Sequence, residues 1–344
     1  MREILVTVTI KDVARIAGCS IKTVSRVVNN EPYVTDDLRA RVQAAIRTTG
    51  YAPNISARRL VTRKAFMVCV LLYPGFQESA SGILSRILDL TYEEDYDILI
   101  QPFFPTHKHS RNRLVGMVSE RRVDGFVITP PCDADGFVTD LLATYQVPFV
   151  LINPLNHEGR VPFVTGDDYN GAYAMTGHLA ALHHRRIGFL MGPRNLRASL
   201  DRFYGYRAAL DARGLPFEER WVEDAENTFD GGITAARLLV GRQLRPTAIF
   251  GGNDEAALGA MYALQEMGLR VPQDLSVCGY GDTPPSRSVW PGLTTVHQPA
   301  EEMIQMATQM LIQVLKGQAL EKTEVLLPAQ LVIRGSTASP SSAS

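Results

Sequence analysis

The sequence predicts two architectures in one chain, an α + α/β class: an all-α helix-turn-helix head of three helices, then two doubly wound α/β lobes. Three observations predict this. The first 64 residues hold three short amphipathic helical stretches, each opened by a hydroxyl residue suited to a helix cap. From Phe66 onward, short apolar strand candidates alternate with amphipathic helices, the pattern of parallel sheets covered on both faces. The charge is divided at the same place. Met1 to Lys64 carries 12 Lys and Arg against 5 Asp and Glu, a net of +7, and the remainder carries 23 against 31, a net of −8. A basic head on an acidic body is the asymmetry expected when one end meets a polyanion.

The 344 residues suffice for two or three domains, each with its own core, and 45% hydrophobic with 21% charged residues are ordinary globular values. No run approaches the roughly 18 apolar residues that span a bilayer. Met1–Ile10 lacks the basic stretch and apolar core of a secretory signal, so a cytoplasmic chain with no membrane partner is expected. Cys19, Cys69, Cys132 and Cys278 are far apart with no C-x-x-C pair, which suggests neither zinc nor a disulfide framework. His107 and His109 sit in a polar loop, and His178, His183 and His184 at a helix end, without metal-site spacing. No metal or cofactor is expected.

In the head, Thr9 and Asp12 have the spacing of a capping box for a helix from Ile10 to Ala17, with Val13, Ala14 and Ala17 inward. Gly18 supplies freedom for a sharp turn. Ser20 caps a second helix to about Asn29, with Val24, Val27 and Val28 as its inner stripe, and Thr35 opens a third, Asp36 to Arg47, with Leu38, Val42, Ala45 and Ile46 inward. Two helices about a tight turn, backed by a third, is the helix-turn-helix plan. The inner valines leave Ile21, Lys22, Ser25 and Arg26 outward, with Thr23 beside them. Lys22 and Arg26 stand one helical turn apart. Arginine takes guanine O6 and N7 bidentately, and Ile21 offers an apolar surface to a thymine methyl. Ser20, Thr23 and Ser25 suit phosphate oxygens. A solvated face of a small bundle has the same spacing.

Thr9-Ile10-Lys11-Asp12-Val13-Ala14, Ala17-Gly18-Cys19-Ser20 and Thr23 to Asn29 resemble the head of the lactose/galactose repressor family, and Tyr51-Ala52-Pro53-Asn54, Ala57 and Leu60 continue the match. The resemblance implies a transcriptional regulator binding double-stranded operator DNA as a homodimer, with Asn29 among the head's contacts. Pro53 and Asn54 bound a stretch, Ile55 to Leu60, too short for a stable isolated helix. By the resemblance it is a hinge helix that folds when two copies meet in the minor groove. Asn54 would cap it, Leu60 would wedge between base steps, Ala57 would permit close approach, and Arg58 and Arg59 would meet phosphate. An ordinary interdomain linker is the other reading.

Strand candidates beyond the head are Met67–Tyr73, Ile98–Pro102, Gly125–Thr129, Phe149–Ile152, Ile187–Met191, Ala248–Gly251 and Val277–Tyr280. Helical stretches between them are Ile83–Glu93, Arg113–Arg121, Gly171–Leu182, Arg202–Arg213, Gly231–Leu239 and Glu255–Met267. These exceed one sheet, so two lobes are expected, with a ligand crevice at the strands' carboxyl ends. The lobe boundary is placed near Thr165 and the return near Thr294, the plan of periplasmic-type sugar-binding proteins. The division expected is residues 1–53 as head, 54–64 as hinge helix or linker, 65–335 as the effector and dimerisation part, and 336–344 as a disordered Ser/Ala/Pro tail. Gly177-His178-Leu179, Arg186 to Leu190, Asn253 to Gly259 and Thr294 to Pro299 extend the resemblance across this region.

The resemblance puts an effector-clamping arginine at Arg202, whose guanidinium suits vicinal hydroxyls or a carboxylate equally. Asn253, Asp254 and Asn153 follow strand ends. Other readings stay open: a surface ion pair for Arg202, a helix cap for Asp254, a turn for Asn153. Where relatives carry Asp, this chain has Gly281, and Asp282 is the substitute candidate. Phe229, Trp290 and Tyr73 suit stacking on a sugar ring or plain packing. His183 stands at a helix end where relatives have Gly, so a left-handed backbone is expected there. The effector expected is a small molecule, foremost a carbohydrate, with a nucleobase or protein corepressor as alternatives. An exported solute-binding protein would share the lobes but not the basic head. For an enzyme, the chain shows no G-x-S-x-G elbow, no P-loop and no H-E-x-x-H.

Overall fold

The computed structural model describes residues 8–28, 32–51, 64–73, 80–155 and 161–341. It divides into two compact units, Met1–Ala65 and Phe66–Ser344.

The head forms α1 (Ile10–Ala17), α2 (Ile21–Val28) and α3 (Asp36–Thr49). Its core is Val13, Ala14, Ala17, Val24, Val27, Val42 and Ala45, with Ile10, Val28 and Ile46 partly buried against it. The Asp12 carboxylate accepts from the Thr9 hydroxyl at 2.7 Å and the Thr9 N–H at 3.1 Å, which holds it below the usual carboxylate range. Gly18 ends α1 at φ +64°, where only a residue without Cβ is unstrained. Ser20 Oγ accepts from the Thr23 N–H at 3.1 Å and so starts α2. Thr35 stands at the N-cap of α3 without a side-chain hydrogen bond, and Asp36 and Asp37 put negative charge in the first turn, where the helix dipole favours it.

The second unit opens with β1 (Met67–Leu72), α4 (Ala80–Glu93), β2 (Asp97–Pro102), α5 (Lys108–Ser119), β3 (Gly125–Ile128), α6 (Phe137–Thr144), β4 (Phe149–Ile152) and β5 (Phe163–Gly166). The chain then crosses into α7 (Asp168–Ala181), β6 (Ile187–Met191), α8 (Arg197–Asp211), β7 (Val222–Asp224), α9 (Phe229–Val240), β8 (Ala248–Gly251), α10 (Asp254–Glu266), β9 (Ser276–Cys278), α11 (Pro284–Ser288) and β10 (Thr295–His297). It returns through α12 (Ala300–Leu315) and β11 (Glu324–Leu327) and ends beyond β12 (Gln330–Val332). The first lobe is a six-stranded parallel sheet, ordered β11-β5-β4-β3-β1-β2, and the second a four-stranded parallel sheet, β7-β6-β8-β9, joined by an antiparallel β10-β12 pair.

Strand alternation builds both cores. In β1, Val68 and Val70 face one side, against Ile304, Ala307 and Leu311 of α12, whereas Cys69 and Leu71 face the other, against Leu114 and Leu142. The second lobe repeats the arrangement, Ile249 and Val277 meeting α9 and α10 while Phe189 and Phe250 meet α7 and α8.

One boundary differs from the expectation. Thr294 and Thr295 lie within the second lobe, bridging Cys278 and pairing with β12, so the return begins after Gln298. A third crossing, between β11 and β12, was not expected, because both are short strands following a helix, α12, that the sequence pattern had not isolated. The expectation of a disordered tail is also corrected for residues 336–338, which are hydrogen-bonded into the second lobe. Ser336 is fully buried; its hydroxyl donates to the Val277 carbonyl at 2.6 Å and accepts from the Thr294 N–H at 2.8 Å. Small hydroxyl residues read as low complexity, yet they fit a crowded edge and satisfy its backbone there.

Candidate nucleic-acid interface and ligand crevice

On α2, burial of Val24 and Val27 fixes the helix rotation and turns Ile21 and Lys22 fully outward, with Thr23, Ser25 and Arg26 half-buried. Ile21 keeps 45% of its surface exposed and so adds an apolar side chain to this face. Ser20 is exposed beside them, its hydroxyl 2.9 Å from that of Thr23. The structure therefore gathers Ser20, Ile21, Lys22, Thr23, Ser25 and Arg26 along one helix. Asn29, Asn54, Ala57, Arg58 and Leu60 lie outside the described residues.

In the second unit, a crevice of about 280 Å³ opens where the first lobe passes into the second. Pro154, Thr165, Gly166 and Leu326 line it from the first lobe, and Asp167, Asp168, Tyr169, Arg197 and Asp201 from the second. It lies at the carboxyl ends of β4 and β5 and the amino ends of α7 and α8, the place where open α/β sheets bind ligands. Asp167 caps α7 by accepting from Asn170, and Asp201 pairs with Arg197 at 2.7 Å.

Arg202 lies behind this crevice, inside α8 rather than at its start, because the helix begins at Arg197. Only 5% exposed, it donates from Nε to Asp168 at 2.8 Å, from Nη1 to the Gly252 carbonyl at 2.8 Å and from Nη2 to Gln298 at 2.9 Å. Its guanidinium lies 3.9 Å over the Tyr280 ring. Burial pushes the Asp168 carboxyl up from its ordinary value, and Arg202 pulls it back down. The pair is buried and internal, not a surface ion pair.

The other sequence candidates are also engaged within the protein. Asn253, not Asp254, caps α10, accepting from the Ala256 N–H at 2.9 Å while its amide donates to the Asn227 carbonyl. Asp254 is 1% exposed and accepts from the Thr295 hydroxyl and from the Thr283 N–H and hydroxyl; burial raises its pKa, and these donors oppose the rise. Asn153, in the left-handed region at φ +45°, accepts from the Thr165 hydroxyl at 2.8 Å and the Gly166 N–H at 3.1 Å, clipping β4 to β5. Asp282 turns toward Arg334, Arg287 and His297; burial works against its charge, but the two arginines outweigh it and hold its pKa low. Gly281 has φ +135°, where a side chain would be strained, and a Cβ there would meet Asp254 and Thr283 at 3.4 Å. Of the aromatic candidates, Phe229 packs on Tyr262, Tyr73 on Phe104, and Trp290 is 93% exposed.

None of Asn153, Arg202, Asn253, Asp254 and Asp282 lines the crevice itself, but Asp168, Thr165 and Gly166, which hold Arg202 and Asn153, do. Asp168, Gln298 and Tyr280 had not been singled out. Asp167 and Asp168 follow directly on the lobe boundary placed near Thr165, and two adjacent carboxylates at such a boundary are the signal the sequence offers. His183 adopts φ +73°, the left-handed helix end expected of it. The four cysteines are unpaired, and no group suited to a metal ion occurs among the described residues. No described helix is long and apolar enough to cross a membrane.

Comparison with known proteins places both units. Residues 9–54 match the family described as "Bacterial regulatory proteins, lacI family", and residues 176–337 match a periplasmic binding protein-like domain. The ribose operon repressor of Escherichia coli strain K12 is 31% identical over 329 residues, 95% of this chain and 99% of that protein. A lac repressor dimer solved bound to operator and the anti-inducer ONPF superposes with a TM-score of 0.80 at 29% identity, covering 96% of this chain and 99% of that one. A complex of the transcriptional regulator CelR with cellobiose gives 0.74 at 29% identity, with the same coverage of 96% and 99%. A basic helix-turn-helix head, two α/β lobes around a crevice, and likeness along almost the whole length agree: the chain belongs to the lacI family of bacterial regulatory proteins.

Proposed function

We propose that this chain is a cytoplasmic transcriptional repressor that grips a palindromic operator as a homodimer and is controlled by a sugar held between its lobes. The observation that carries the reading is the outward row on α2, where Lys22 and Arg26 share a helix with exposed Ile21 on a unit of net positive charge. The head occupies residues 1–53, residues 54–64 join it to the lobes, and the remainder binds effector and partner copy. The crevice supports a polyhydroxy ligand: Asp167, Asp168, Asp201 and Thr165 offer oxygen acceptors, and Tyr169, Pro154 and Leu326 offer surface for a ring. The relatives point the same way, one being named for a ribose operon and another solved with cellobiose. The chain acts by binding, not by catalysis.

The test is selection of duplexes from a random library by the full-length protein, followed by titration of the selected site against salt with and without ribose or cellobiose. A two-fold symmetric site whose affinity falls steeply with salt, and responds to a sugar, is expected. Selection of no palindromic site would overturn the proposal.

A further inference from the structure

We infer that Gln298 is a positioning residue that, through Arg202, fastens two of the crossings between the lobes to each other. The inference rests on the reading of the crevice as the effector site. Asp168 follows the first crossing directly, and Gln298 sits on the second, between β10 and α12. These segments are separated by 130 residues of the second lobe, yet both reach the same guanidinium: Nε donates to Asp168 at 2.8 Å and Nη2 to Gln298 at 2.9 Å. Arg202 is itself anchored to the second lobe by the Gly252 carbonyl and the Tyr280 ring. The neighbouring His297 points elsewhere, to Asp282, which also holds Arg334 beyond the third crossing. Asp167 completes the set, its N–H donating to the Leu327 carbonyl at 2.8 Å at the third crossing.

Of the three acceptors on Arg202, the two side chains differ in strength. Asp168 is a buried carboxylate on a buried guanidinium, a pair that cannot be opened without stranding a charge. Gln298 is a neutral amide, and it is 7% exposed. Of these two, Gln298 is therefore the partner released at lower cost. Its release unties the second crossing from the first and frees the lobes to turn. A ligand shifts such an equilibrium only through its differential affinity for the tied and untied arrangements.

The test is amide hydrogen exchange on the full chain with neither ligand nor DNA. Gln298→Leu removes the acceptor and keeps the bulk, and Gln298→Glu replaces it with a charged one. In Gln298→Leu, exchange is expected to rise roughly tenfold in peptides covering both 166–171 and 295–300, the weight of one hydrogen bond to a charged group. Peptides of β6 and β8 should exchange as in the parent chain, and Gln298→Glu should exchange at or below parent rates at both crossings. A rise confined to 295–300, a rise through β6 and β8 as well, or a Gln298→Glu variant behaving like Gln298→Leu would overturn the inference. Such a failure leaves the repressor reading standing, and failure to select an operator leaves these exchange rates unaltered.

Discussion

Arg41 and Ala17 lie 24 residues apart and meet through a 2.7 Å hydrogen bond from the Arg41 guanidinium to the Ala17 carbonyl. The bond ties α3 to the carbonyl end of α1, where the next residue, Gly18, turns the chain toward α2. The same guanidinium lies 2.7 Å from where a Cβ on Gly18 would stand. Arg41→Met keeps the aliphatic stem and loses the donor, so it should destabilise the head by about 1–2 kcal/mol. Two-domain thermal unfolding of the full chain checks this: the transition of the head should fall while that of the lobes holds. An unchanged head would show the carbonyl content with water.

Arg26 stands one helical turn from Lys22 on the outward side of α2. Arg26→Ala should cost roughly 1–3 kcal/mol at the selected site and relax base preference at one position of each half-site. Lys22→Ala provides the comparison. Competition titrations of cognate against scrambled duplex read the difference, and equal losses on both duplexes would confine Arg26 to phosphate.

Gly205, the third residue after Arg202 on α8, lets α8 pack against α7 so closely that a Cβ would stand 2.1 Å from the Tyr169 carbonyl oxygen. Backbone cannot step aside as a side-chain tip does. Gly205→Ala should therefore destabilise the lobes by about 1–3 kcal/mol or more, despite the better helix propensity of alanine. Urea unfolding of the purified variant decides, and a stabilised protein would mean that the two helices can part.

Much of this architecture was legible because apolar spacing reports burial locally. Val24 and Val27 recur at helical period among exposed or half-buried neighbours, so the outward row on α2 follows from the sequence. The strands of the two lobes stood out for a related reason, since β1, β3, β6 and β8 are buried on both faces and read as short apolar runs. What escaped was set by contacts distant in sequence. α12 completes the first lobe after the whole second lobe has intervened between Gly166 and Ala300, and Met303, Ile304 and Leu311 carry no mark of which lobe they enter. The partners of Arg202 are hidden likewise, because Asp168 and Gln298 converge only once the second lobe has folded between the first two crossings. Asp254 was recognised as a carboxylate at a strand end, but its three donors come from Thr283 and Thr295, beyond any local pattern.

His184 is 1% exposed, 2.9 Å from the Thr247 hydroxyl and 2.8 Å from the Ala338 carbonyl, which secures the end of the chain. Burial lowers its pKa from the ordinary histidine value, the Ala338 carbonyl partly restores it, and nearby His178, itself lowered by burial, opposes the charge further. The unfolded chain thus binds this proton more readily than the folded one. The stability that neutral His184 contributes is present in full above the unfolded value and is lost as pH falls from there through the folded value. Unfolding free energy measured from pH 7.5 down to pH 5 should decline more steeply in the parent than in His184→Gln. Parallel profiles would show that His184 titrates identically in both states.

The Arg202–Asp168 pair sets the terms on which the effector reading can be tested. Arg202→Ala strands the Asp168 carboxylate at 2% exposure, which should cost about 3–5 kcal/mol, most of it for the unpaired charge and not for the lost attraction. Removing both partners removes that charge, so Arg202→Ala with Asp168→Ala should cost less than the two single changes summed. Urea unfolding of the four proteins measures the coupling, and strict additivity would mean that the pair is solvated in solution. The consequence reaches the functional assay. Loss of sugar response in Arg202→Ala alone is equally the signature of a loosened lobe. A double variant that still folds and binds operator separates the two, because a silent response there traces to the missing Arg202–Asp168 pair at the crevice and not to a stranded charge.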